Sequence, residues 1–399
     1  MKNFIIALLI FVSVNSPYGA NIEHPTNFEA DNSAMSKSEF FKRVDNDIYI
    51  IDKEAINNKA KASGMTNSAW IDEKEEALFY TREIDSKKKN ADYDYEKTTL
   101  YKADFNNKIK WEYDLKKYDV VSNIFVVKGN TYVFYNHDYE SYYLLCIDNK
   151  GKEKWDKQIK FEKDLKTIPE ECKISLCTDG FVVAFSSYDF PADESVVENR
   201  NIYIQKYDFN GSSMWGKKIS QNKNNEGYYT SFSLYSNDKN IYLSYSTYNY
   251  EDEKGAMYPS SNFSSKEIIS LDAKGNIKKS ITMEVTEDSY SSDMYMHNNS
   301  LYVISKDNKL IKLDNDLKNI AEVELPKAGY YSQLVPCKMG LYFVYETPVL
   351  NNTTSKKFDY DLKPLESKNS LASSFSSYAD INYLGEIDGK TILVEGNYY

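Results

Sequence analysis

Arginine and histidine are almost missing from this chain, at three copies each in 399 residues. Lysine and arginine together number 49 against 60 acidic residues, a net charge of −11. A phosphate backbone is gripped by a concentrated basic face, so nucleic-acid binding is excluded. Cysteine is scarce as well. Cys146, Cys172, Cys177 and Cys337 are the full set, with no CxxC and no Cys/His cluster. That excludes the common structural zinc sites. Four cysteines allow three disulfide pairings or four buried thiols, and their spacing does not choose.

Long apolar runs are missing too. The longest, residues 4–14, follows Lys2 and leads into Ser16-Pro17-Tyr18-Gly19-Ala20. Crossing a bilayer takes about 20 apolar residues, so this run is too short to span. A basic start, an apolar middle and small residues beyond it describe a secretory signal peptide. The expected organisation is a signal peptide over 1–20, a polar lead-in over 21–44 with a helical turn at 38–44, and one domain over 45–399. No cysteine near Ala20 offers a lipid anchor. The expectation is a soluble monomer, secreted or periplasmic, and not an integral membrane protein. Hydrophobic content of 41%, with 36 tyrosines among it, supplies the core.

What the chain does have is a repeat. Its clearest copies are Asp104-Phe105-Asn106-Asn107 with Trp111, Asp148-Asn149-Lys150-Gly151 with Trp155, and Asp208-Phe209-Asn210-Gly211 with Trp215. In each an apolar residue precedes Asp, a turn follows, and Trp stands seven residues after the Asp. Copies without Trp begin at Asp272, Asp314 and Asp359, and a seventh at Asp52. Successive Asp positions lie 42 to 64 residues apart. Asp and Asn close turns through their own side chains and Gly supplies positive φ, so each copy reads as a hairpin.

Before each hairpin comes an apolar strand rich in Val, Ile and Tyr: 77–80, 131–135, 181–185, 241–245, 301–304, 341–345 and 391–394. A turn and another apolar segment precede each of these. Such near-continuous apolar runs are strands covered on both faces. Four antiparallel strands per unit make the blade of a β-propeller. Residues 378–395 supply two strands without a following hairpin, and 45–63 supply a hairpin without the two strands before it. Joining them gives an all-β, seven-bladed β-propeller closed by its N- and C-terminal strands, with six blades as the alternative. The Asp–turn–Trp repeat resembles the quinoprotein-like propellers, the superfamily of PQQ-type repeats. The resemblance implies the fold and no particular chemistry, since the superfamily includes dehydrogenases, scaffolds and binding modules.

In such a ring the connections between second and third strands share one rim with those between blades. The insertions fall there: Tyr93 and Asp94, Asp138 and Tyr139, Tyr188 and Asp189, Tyr250 and Asp252. A second set, Tyr118, Tyr229, Tyr290, Tyr331 and Tyr378, stands near the start of the first strands, where it would ring the channel mouth. Tyrosine offers a flat apolar face and a polar tip, suited to sugars, peptides and cations. Solvated loops and a tyrosine-rich core are the plainer reading of the same residues.

Most catalytic readings fail on the residues. His24, His137 and His297 fall in the lead-in, on one rim and on the other, so no two share a metal, and His137 has no marked serine partner. Quinoprotein dehydrogenases set a vicinal cysteine pair against the cofactor, and this chain has none. Sialidase propellers need an arginine triad, but Arg43 lies in the lead-in, leaving only Arg82 and Arg200 on the loop face. Asp92, Asp94 and Glu96, or Asp314 and Asp316, are calcium candidates without EF-hand spacing. The expectation is a non-enzymatic binding protein for a protein, peptide or glycan, with no cofactor and no catalytic set. An envelope assembly scaffold and a carbohydrate-active enzyme using rim carboxylates are the alternatives.

Overall fold

The computed structural model describes residues 35–59, 66–85, 95–106, 108–116, 119–137, 141–160, 167–189, 200–222, 227–251, 260–283, 294–305, 307–328, 332–347, 353–366, 371, 375 and 381–396. They form seven four-stranded sheets arranged as a ring, a seven-bladed β-propeller. Blades 1 to 6 cover residues 66–114, 119–158, 167–222, 227–283, 294–324 and 332–365, each with its strands in chain order and antiparallel from the channel outward. Seven clusters of buried apolar side chains hold the ring, and each joins two neighbouring blades. The first of these packs Tyr49, Ile51 and Ile392 of blade 7 against Leu78 and Tyr80 of blade 1, which closes the circle.

Blade 7 is assembled from both ends of the chain, as the incomplete units at 45–63 and 378–395 require, but with a different course. Its inner strands are Ile381–Ile387 and Lys390–Glu395. Next comes Ile48–Ile51, parallel to its neighbour, with Ile48 opposite Thr391 and Ile50 opposite Leu393. Phe41–Asp45 forms the outer edge, where a helical turn was expected. The chain therefore lays down the outer strand first. Asp52 does not close a hairpin: its Oδ1 accepts the Ala55 N–H at 2.9 Å and caps the helix Lys53–Lys59.

The other six Asp residues do what the repeat demands. Asp104, Asp148, Asp208, Asp272, Asp314 and Asp359 each accept on Oδ1 the N–H groups of the residues two and four positions on. These backbone bonds hold the Asp148 and Asp272 carboxyls below the usual range. Asp314, one of the calcium candidates, thus spends an oxygen on its own turn.

The tryptophans explain why the turn and the seventh residue travel together. Trp111, Trp155 and Trp215 each lie on the turn glycine of the next blade, Gly151, Gly211 and Gly275. A methyl group there would stand 2.6 Å from Trp111 Cβ, 2.9 Å from Trp155 Cζ3 and 2.6 Å from Trp215 Cζ3. Blades 4 and 5 carry Lys279 and Ala321 in the Trp position. The blades that follow them place leucine at the turn, Leu317 and Leu362, with φ of 55° and 65°. Both leucines are buried in the seam that a Trp would otherwise fill. Knob and socket have changed sides. Lys157, Lys217 and Lys279 cross the same seams, donating to Asn210 O, Asn276 Oδ1 and Asp316 O at 2.6 Å each.

The residue two before the turn Asp is often a buried or half-buried lysine set over a second-strand aromatic. Lys102 stands over Phe79, Lys312 over Tyr302 and Lys357 over Tyr342, at 5.0 to 5.9 Å. Lys102 pairs with Glu75, and Lys206, in the same position, with Asp179 at 2.7 Å. Stacked cross-strand pairs such as Tyr80–Tyr101 and Tyr135–Tyr143 place much of the tyrosine excess in the walls of the blades. All four cysteines are buried free thiols. Burial pushes Cys337 up to about 11.

Candidate functional site

All second strands start at the lower rim, beside the Asp turns, so their lengths measure how far each blade rises toward the other face. In blades 1 to 4 they run 9, 8, 10 and 12 residues. In blades 5 to 7 they run 5, 7 and 6. At about 3.3 Å per residue, the tallest exceeds the shortest by roughly 23 Å. Among the described residues the upper rim rises furthest, as a wall, over blades 1, 3 and 4.

Four of the expected site residues sit in that wall. Tyr188 pairs with Ile168 and Arg200, and Asp189 with Thr167, at the top of blade 3. Tyr229 pairs with Thr247 and Tyr250 with Ser261 in blade 4. Tyr93, Asp94, Tyr118, Asp138, Tyr139, Asp252, Tyr290, Tyr331 and Tyr378 lie outside the described residues.

At the upper end of its first two strands, blade 2 carries a hydrogen-bonded group that the sequence reading passed over. His137 ends the second strand and Asp119 begins the first, and the ladder sets them opposite each other. His137 Nδ1 stands 2.6 Å from Asp119 Oδ1, whose other oxygen accepts the Lys116 N–H at 2.7 Å. The Asp119 side chain is 1% exposed and His137 30%. Burial pushes the Asp119 carboxyl up against the pull of His137. Beside them the Tyr135 hydroxyl donates to Asp156 at 2.8 Å, and burial raises both groups. An aspartate five residues after a strand end and a histidine closing the next strand was the available signal.

The innermost strands of blades 2 to 7 line an open cavity of about 580 Å³ in the central channel. Tyr235, Tyr295 and Tyr383 line it, with Tyr295 set edge-on to the other two at 6.3 Å. Burial pushes Tyr295 up to about 12. Gln333 bridges two blades, donating from Nε2 to Ile381 O at 2.7 Å and accepting the Ile381 N–H at 3.0 Å. Lys173 is the one cation among the lining residues, and no carboxylate is among them. Below the cavity, burial raises the Glu386 carboxyl, and Glu73 and Asp47 push the same way against Lys338.

These channel tyrosines are not the ones the sequence pointed to. Tyr235 and Tyr295 occupy one register, opposite Tyr242 and Tyr302, two or three residues before the turn rather than at the strand start. Tyr383 is displaced from that register by a bulge between it and Gly385. Counting back from the turns would have found the first two.

No family model matches the chain, and no curated protein matches it in sequence. Among solved structures it is similar to the Dos1 propeller, with a TM-score of 0.46 and 12% identity over 82% of this chain and 77% of that one. It is also similar to BamB from Moraxella catarrhalis, with a TM-score of 0.35 and 9% identity over 73% of this chain and 84% of that one. A polysaccharide lyase, an ulvan lyase, gives a TM-score of 0.43 and 10% identity over 84% of each chain. At these identities the likeness concerns the fold alone.

Proposed function

We propose that this propeller is an exported binding module of the PQQ-type repeat group, monomeric and non-enzymatic, which takes a protein, peptide or glycan on its upper rim. The observation that carries the reading is the uneven rim. Among the described residues the second strands of blades 1, 3 and 4 outreach those of blades 5 to 7, and recognition concentrates where long segments stand on a rigid scaffold. Acidic and tyrosine residues crowd the sequence of the wall's connections. The Trp-on-glycine seams support the PQQ-type assignment, and the apolar run after Lys2 supports export.

The test is binding to peptide and glycan arrays by the full chain, and by a variant with Asp94, Asp138, Asp189 and Asp252 changed to Ala. A ligand bound by the wild type and weakened at least tenfold in the variant is the expected result. Unchanged binding would remove the wall from the account. N-terminal sequencing of protein recovered outside the cytoplasm should begin at Asn21.

A further inference from the structure

Among the described residues six large apolar side chains stand exposed, and all six lie at the lower end of the ring, opposite the upper rim. Ile109, Met214, Ile277 and Ile320 follow the turn Asp of blades 1, 3, 4 and 5 by five or six residues, and each is about half exposed. Leu176 ends the first strand of blade 3, and Met339 stands in the turn between the first two strands of blade 6. Single exposed apolar residues are ordinary, but six gathered at one end of a rigid ring form a surface. All are aliphatic, so none offers the flat face on which a sugar ring stacks.

Lysine is set among them along one arc. From the turn Asp to the sixth residue after it, the hairpins of blades 1 to 4 hold seven lysines and five carboxylates, whereas those of blades 5 and 6 hold two and four. Four of the five carboxylates are the turn Asp residues, whose Oδ1 atoms are taken by their own backbone. The fifth, Glu153, accepts the Tyr113 hydroxyl at 2.6 Å. Five lysines along the arc donate only to neutral oxygens. Lys154 and Lys278 reach Asn130 and Asn240 Oδ1, while Lys157, Lys217 and Lys279 cross the seams to Asn210 O, Asn276 Oδ1 and Asp316 O. Elsewhere lysine finds a carboxylate, as in Lys97–Asp114, Lys309–Glu322 and Lys312–Asp361. A chain of net charge −11 thus carries an arc of ammonium groups without ion-pair partners, with exposed Met and Ile between them.

These two properties select the partner. A bilayer with anionic lipid offers negative headgroups to the lysines and an acyl boundary to the aliphatic side chains, over an area that the end of a ring can meet at once. At physiological salt charges act over about 8 Å, so the local surplus governs contact and the acidic remainder of the chain does not. We propose that the lower end, over blades 1 to 4, docks on an anionic lipid bilayer. Ile109, Met214 and Ile277 enter the headgroup boundary, and the upper rim is held facing away from it.

Sedimentation of the full chain with lipid vesicles tests this. Vesicles of phosphatidylcholine with about a third phosphatidylglycerol should pellet the protein, and vesicles of phosphatidylcholine alone should do so about tenfold more weakly. Raising sodium chloride from about 0.05 M to about 0.5 M should weaken the binding severalfold. Met214→Ser with Ile277→Ser should weaken it about fivefold, and Lys150→Glu with Lys152→Glu and Lys274→Glu about tenfold. These side chains are exposed, so the thermal midpoints of both variants should match the wild type. Equal pelleting by the two lipids and in every variant, as an apolar tail at residues 4–14 would give, overturns the proposal. No pelleting by either lipid, or binding to heparin in its place that ignores Met214→Ser and Ile277→Ser, overturns it as well. The four-fold aspartate variant of the upper rim should pellet like the wild type, so this surface and the rim reading stand or fall separately.

Discussion

Replacing Gly275 by alanine should cost far more than the same change at Gly129, although the two glycines have nearly the same backbone. Their φ values are +75° and +77°, so each substitution forces alanine into the left-handed region, at about 1 kcal/mol. There the likeness ends. At Gly129 the new methyl group meets nothing within 4 Å, whereas at Gly275 it lies 2.6 Å from Trp215 Cζ3 and 2.7 Å from Cη2. The indole is held by its Nε1 bond to Ala273 O at 3.2 Å and cannot swing aside freely. Overpacking of this kind costs about 1–3 kcal/mol, so Gly275→Ala should destabilise by about 2–4 kcal/mol and Gly129→Ala by about 1. Equilibrium urea unfolding followed by tryptophan fluorescence and by far-ultraviolet dichroism measures the difference. Repeating Gly275→Ala in a Trp215→Leu background removes the clash, and the cost should then fall toward that of Gly129→Ala. Equal costs at the two glycines, or the same cost with and without the indole, would refute the seam as the reason for the repeat.

Leu317→Gly should still destabilise, by about 1–4 kcal/mol in thermal or urea unfolding, because the lost burial in the blade 4–5 seam outweighs the relief of its 55° φ. A neutral or stabilising result would contradict the exchange of knob and socket. A thiol reagent should label none of the four cysteines in the native protein and all four in denaturant, and reductant should leave the thermal midpoint unchanged. His297, stacked on Tyr360 at 3.5 Å, is held below its ordinary value by burial and then by Lys312. Its neutral form favours the fold, so that contribution is present above about pH 6.5 and lost as pH falls through the lowered value. His297→Phe should therefore flatten the loss of thermal midpoint on acidification from about pH 7 to pH 5, and an unchanged slope would rule the stack out as its source.

The ring was legible because its parts are locally coded. A turn Asp satisfies its own backbone, and the strand before it is apolar on both faces, so neither needs a distant partner to be recognised. Asp52 misled for the same reason, since a carboxylate capping a helix accepts the same kind of amide as one closing a turn. The residue three positions on decides. Gly151, Gly211, Gly275, Leu317 and Leu362 take positive φ there, while Ala55 belongs to a run of helix formers. That leucine can fill this place is fixed by the seam and not by local propensity, so it was invisible in sequence. The parallel pairing of Ile48–Ile51 was hidden likewise, because its register comes from the far end of the chain. The insertions between second and third strands were readable in sequence, while Asp119 and His137 meet only once blade 2 is built.

The parallel join in blade 7 sets the order in which the molecule can be made. Residues 48–51, buried along their whole length in the finished ring, pair locally with residues 41–45 but lack their other neighbour until residues 390–395 have been made. Until then one edge of that hairpin is bare and apolar, and fastening it is a late step of high contact order. A chain stopped short of that final strand is thus released as an open arc with an unpaired edge at either end, a species prone to self-association, rather than as a slightly smaller propeller.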